Sequence, residues 1–241
     1  MNKEVAPIRE SDESGKLFDY KELITKNEVL YKLAQKEGFT NCEEMDARDL
    51  FEAIFKKYVK REGADQLLAY IQSTDFFKAP ASTRFHGSYE GGLVEHSLHV
   101  YECYKRIVEH YSSIYGVQMS EDSIALVSLL HDLCKAGVYK IEMRNKKIDG
   151  VWQQVPVYTF DDDMPLGHGQ KSAFLVMQYC HLTPIEFACI AFHMGAFDAG
   201  NNPHNVGDAF NGYPEAFLLS MADSEATYFV ENEKWQKRVN Q

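Results

Sequence analysis

Six residues along this chain carry side chains suited to holding cations: His96, the adjacent pair His131-Asp132, His168, His193 and Asp223. Their surroundings are apolar. "SLLHDLCKAGVY" follows the run Ile124-Ala125-Leu126-Val127; His96 lies in "GGLVEHSLHVY", His193 in "IAFHMG" and Asp223 in "LLSMADSEAT". An ionised carboxylate or unpaired imidazole in a helical interior costs several kcal/mol. One such histidine is most often a satisfied structural residue. Six donors, spread one or two per helix over five predicted helices, point instead to side chains converging on metal. Imidazole and carboxylate donors together suit Mn, Fe, Co, Ni, Zn or Mg.

The elements that must carry these residues are mostly helical. Residues 1–20 are polar and non-periodic and read as a loose arm. From about Glu22 to Phe76 the pattern is helical, with Leu50, Phe51, Ile54, Phe55 and Tyr58 at i, i+3, i+4 spacing and Gly63 as a stop. "KAPAS" breaks the pattern and places a boundary near Pro80, giving a polar arm and helical extension over 1–78 and a second unit over 79–241. Helices are predicted over Gly92–Tyr111, Ser120–Ala136, His168–His181, Thr183–Ala196 and Pro214–Glu231. Thr183-Pro184-Ile185-Glu186 supplies a cap, a first-turn proline and a capping-box glutamate. Between the second and third of them, near 138–160, a β-rich segment with Asp149-Gly150 at its centre reads as an inserted hairpin. The Gly/Asn-rich stretch Ala199–Tyr213 reads as a long loop, a candidate lid.

The ordered series His96, His131-Asp132, His168, His193, Asp223 resembles the HD-domain superfamily of metal-dependent phosphohydrolases, over about Ala79 to Glu231. "APASTRFHGSYEGGLVEHSLHVY" and "GHGQKSAFLVMQYCHLTPIEFACIAFHMG" look like an uncharacterised bacterial and phage branch, and the first is also similar to the HD region of a 3′–5′ exoribonuclease family. The resemblance implies a helical HD bundle and two divalent ions. His96, His131, Asp132 and Asp223 would hold one ion and His168 and His193 the other, with Asp132 bridging. Two bridged ions lower the pKa of a shared water and clamp phosphoryl oxygens. It also implies that Lys135, in "HDxxK", contacts the substrate phosphate; a solvated lysine near a helix C-terminus is the plain alternative. Asp132 and Lys135 are thus the expected catalytic pair. Arg84, His86 and Lys171 are candidate phosphate contacts, for which loop solvation or a helix-surface role serves equally well.

The net charge of −11 argues against a surface for long nucleic acid, yet leaves room for a local pocket for a small phosphorylated substrate such as a nucleotide. The expected reaction is hydrolysis of a phosphate ester by a metal-activated water. Exonuclease action on short single strands, a non-catalytic nucleotide-binding module and an iron oxygenase are the competing readings. No membrane span or leader stands out. Five scattered cysteines without a CxxC fit reduced core thiols in a cytoplasmic protein.

Overall fold

The computed structural model describes residues 23–164, 166–198 and 203–239; the expected polar arm over 1–20 lies outside them. The fold is mostly helical with a single two-stranded antiparallel sheet among the described residues. Helices α1 (Glu28–Lys36), α2 (Ala47–Tyr58) and α3 (Ala64–Ser73) precede α4 (Gly92–Tyr115) and α5 (Glu121–Leu130). After strands β1 (Tyr139–Ile148) and β2 (Val151–Phe160) come α6 (His168–Met177), α7 (Pro184–Phe192), α8 (Pro203–Gly212), α9 (Pro214–Glu225) and α10 (Glu233–Val239).

Local chemistry sets the boundaries. Asp46 and Asp49 form a reciprocal capping box at the start of α2, as do Thr183 and Glu186 at α7, where Pro184 opens the helix. Ser120 Oγ accepts from Ser123 N–H and caps α5. α4 ends at Gly116, whose φ of 73° is open to glycine without a Cβ penalty. Leu93, Leu98, Tyr101 and Tyr104 are buried on α4, which packs against α5 and α9, and the helices before Pro80 join the same continuous core through Leu50, Phe51, Ile54 and Leu67. All five cysteines are free and buried.

The hairpin keeps its predicted place. Asp149 (φ 49°) and Gly150 (φ 84°) make the two-residue turn whose twist matches antiparallel strands, and pairing runs from Ile148↔Val151 to Tyr139↔Phe160. Register puts Ile141, Met143 and Lys147 on one face with Tyr158, Pro156 and Trp152 opposite them. Ile141, Met143 and Trp152 are exposed.

Two expectations are corrected. The segment 199–213 is not a loop throughout, since Pro203–Gly212 is helix α8. Its composition hid a short apolar stripe. Val206 is buried, and Phe210 meets Phe217 of α9 edge-on at 5.6 Å. The helix expected to run to Ala136 stops at Leu130, because His131 returns a hydrogen bond to the carbonyl of Ser128 and the chain tightens into a 3-10 turn over Leu133–Lys135.

Candidate metal centre

Two helices end on histidines by the same device. His131 caps the C-terminus of α5 and His193 that of α7. His131 Nδ1 lies 2.7 Å from Ser128 O, and His193 Nδ1 lies 2.8 Å from Ile190 O. A carbonyl accepts only, so each Nδ1 carries a proton and donates it, which directs Nε2 away from the helix. Both rings are buried. His96, on α4, is held by its Nδ1 as well, 2.9 Å from Glu231 Oε1.

The three Nε2 atoms therefore face a common interior. His96 Nε2 is 3.3 Å from His131 Nε2, 3.2 Å from Asp223 Oδ1 and 3.7 Å from Asp132 Oδ2. Asp132 looks both ways. Its Oδ2 is 3.4 Å from His131 Nε2 and 2.6 Å from Lys135 Nζ, while Oδ1 is 3.5 Å from His193 Nε2. His168 completes a further group with Asp132 and Cys134, their donor atoms within 4.8 Å of one another. All six sequence-predicted donors thus fall in linked clusters.

The donor set fits a cation. Asp132 Oδ1 and His193 Nε2 are buried without hydrogen-bond partners, which is costly unless something positive binds them. Two imidazole nitrogens facing at 3.3 Å repel unless a proton or cation lies between them. Nitrogens sharing one tetrahedral zinc-like ion at about 2.0–2.1 Å are separated by about 3.4 Å, the same spacing within error.

Close backbone approaches hold the helices in place. A Cβ at Gly169, next to His168, would lie 2.4 Å from the carbonyl oxygens of Ile190 and Ala191. Only glycine lets α6 approach the end of α7 so closely, and that approach brings His168 towards His193. A Cβ at Gly92 would lie 2.0 Å from Gly87 O, so the loop before α4 rests on the start of that helix. This lays His86 over His96, ring centroids 4.7 Å apart.

Electrostatics follow from the packing. Burial would raise the Asp132 carboxyl, but Lys135 and His131 outweigh it and hold the group well below the usual carboxylate range. Asp223 is lowered to about 2, with His96 outweighing its burial. Burial opposes charge on His96, yet Glu231 and Asp223 raise it to about 10, so a proton competes for the place a cation would take. His131 is lowered by burial, and His86 is lowered to about 4 by burial and by its neighbour His96.

The other expected contacts are mixed. Lys135 is buried on Asp132 rather than solvated. His86 joins the cluster, and both its ring nitrogens lack partners. Lys171 is buried and pairs with Asp162 at 2.6 Å, and Arg84 is exposed on the loop before α4. Sequence reasoning missed Glu231 and Cys134. Cys134 carried a signal, lying two residues beyond Asp132. Glu231 carried none, since its position depends on an irregular turn after α9.

No family model matches the chain, and no solved structure matches it. The dihydroneopterin 2′,3′-cyclic phosphate phosphodiesterase of Methanocaldococcus jannaschii is 33% identical to it over 84 residues, which are 35% of this chain and 32% of that protein. The chain thus spans about a third of the length of the curated relative it matches. Among the described residues, no helix is long and apolar enough to cross a membrane.

Proposed function

We propose that this protein is an HD-type, metal-dependent phosphohydrolase acting on a small phosphate ester, such as a nucleotide or a cyclic phosphodiester. One observation carries the reading: three histidine Nε2 atoms and both oxygens of Asp132 converge in a buried site, beside Lys135, with Asp132 Oδ1 and His193 Nε2 unpartnered. The partial likeness to a phosphodiesterase supports it. His96, His131, Asp132 and Asp223 would hold one divalent cation and His168 and His193 another, with Asp132 between them. Such cations, when bound, supply a water deprotonated at neutral pH and positive charge for phosphoryl oxygens.

The chain's own groups do the rest. Lys135 stands fixed by Asp132 and would meet the substrate phosphate from that side; burial opposes its charge, but the Asp132 carboxylate outweighs burial and raises its pKa, so that it remains an ammonium. His86, lowered to about 4 by burial and by His96, is neutral at pH 7 and can donate one hydrogen bond and accept another beside His96. Burial of the cluster excludes bulk water and strengthens each of these interactions.

The hairpin favours a second reading, shortening of a single strand. β1 carries Lys140, Arg144, Lys146 and Lys147 on a chain of net charge −11; Trp152 stands exposed opposite Lys147, and the other three cations line the other face of the ribbon. Basic and aromatic side chains together are what a single strand binds. Elemental analysis followed by phosphate release from a panel of nucleotides and 2′,3′-cyclic phosphates with Mn²⁺, beside labelled oligonucleotides, separates the two. Turnover of small esters alone supports the first reading; shortening of oligonucleotides alone supports the second. Neither product with any of the divalent ions overturns both.

A further inference from the structure

α9 does not run on regularly to the residue that holds His96. After Glu225 the chain makes one π-helical turn over Ala226–Val230, closed by Glu231 N–H donating to Ala226 O at 2.9 Å. The consequence is angular. In an unbroken α-helix, eight residues would carry Glu231 about 80° around from Asp223. The extra residue of a π turn absorbs about one 100° step, so the two carboxylates come within about 20° of one face. Asp223 then reaches one nitrogen of His96 and Glu231 the other, 3.2 Å and 2.9 Å away.

The hydrogen bonds beyond Glu231 assign their own protons. Asn27 Oδ1 accepts from Leu30 N–H as the cap of α1, which fixes the amide and leaves Nδ2 as donor. Nδ2 lies 3.3 Å from His99 Nε2, so that nitrogen accepts and the His99 proton is on Nδ1. His99 Nδ1 is 2.8 Å from Glu231 Oε1, the same oxygen that His96 Nδ1 meets. Glu231 thus receives two N–H groups from residues one turn apart on α4.

We propose that Glu231 is a positioning residue. It holds the His96 ring with Nδ1–H turned outward and Nε2 turned into the cluster, and through His99 and Asn27 it ties the segment before α1 to that geometry. A carboxylate behind a ligating imidazole fixes ring and tautomer and makes the ligand more basic. The inference rests on the reading in which His96 holds a cation.

The test is the affinity of the full chain for Mn²⁺ and Co²⁺ by calorimetry, with folding checked by circular dichroism. Glu231→Leu fills the space but removes the acceptor, and is expected to bind about 10–100-fold more weakly. Glu231→Gln keeps an oxygen acceptor and is expected to recover most of that loss. In cation-free wild type, ¹⁵N spectra of the His99 ring should place its proton on Nδ1. Wild-type affinity in folded Glu231→Leu, with affinity lost in His96→Ala, overturns the positioning role and leaves the site reading standing. A wild type that binds no cation, or a His96→Ala variant that binds like wild type, overturns both. A His99 proton on Nε2 overturns the relay to Asn27.

Discussion

Asp132 is the residue on which the site turns, because its two oxygens face different neighbours: Oδ2 towards His96, His131 and Lys135, Oδ1 towards His193. Replacing it removes the group common to both halves of the cluster. Asp132→Ala is expected to lose both equivalents of metal and all turnover, read by elemental analysis and phosphate release. Lys135→Ala should keep its metal and lose turnover by about 10²–10³-fold, the scale typical of one charge-stabilising donor. An Asp132→Ala protein that still binds two equivalents would contradict the bridging role. At this scale the sequence was informative: the residue types and, for all but His168, their apolar flanks pointed to six side chains that the structure brings into linked clusters. It was silent on which ring nitrogen faces inward, because that depends on the carbonyls of Ser128 and Ile190 and on the carboxylate of Glu231.

Elements were legible where caps and periodicity agreed, and misleading where tertiary contacts decided. Thr183, Pro184 and Glu186 announced α7, and Asp149-Gly150 announced the hairpin turn. The end of α5 was not announced, because Leu133-Cys134-Lys135 continues a helical pattern while the His131 ring breaks it. Nor was α8, whose glycines and asparagines masked Val206 and Phe210. The approach of α6 to α7 is a further feature hidden from periodicity, since one glycine looks like any other until a carbonyl is found against it. Gly169→Ala must move α6 away from Ile190 and Ala191 by a sizeable fraction of an ångström or more. It is expected to lower stability by about 1–3 kcal/mol in urea unfolding. It should also weaken binding of the ion at His168 and His193 more than that at His96. Equal weakening at both places would argue that the approach does not set the geometry.

At the scale of the whole molecule, buried ion networks join the N-terminal helices to the rest. Glu37 accepts from Lys57, Tyr58, Tyr101 and Lys105, and Arg61 lies between Asp122 and Glu186. Burial would raise Glu37, but Lys57, Tyr58 and Lys105 lower it to about 2; burial would raise Glu186, but Arg61 and Ser123 lower it to about 2. A depressed carboxylate stabilises fully above its unfolded value near 4.5 and loses that contribution as pH falls towards its folded one. The loss, up to about 3 kcal/mol per group, is expected between about pH 5 and 2. Urea midpoints measured across that range should fall steeply, and Glu37→Gln should flatten the fall while costing stability at pH 7. An unchanged slope in that variant would remove Glu37 from the account.

The paired strands leave a last consequence. Among the described residues, each has one rim whose amide and carbonyl groups meet no neighbouring strand, and the two rims are guarded unequally. Along β1, four cations and Glu142 discourage another extended chain from joining. β2 bears no ionisable side chain but Tyr158 and is interrupted only by Pro156. Foreign strands that add laterally will do so on the β2 side, and Pro156, which has no amide hydrogen to offer, limits how far such a ladder can grow.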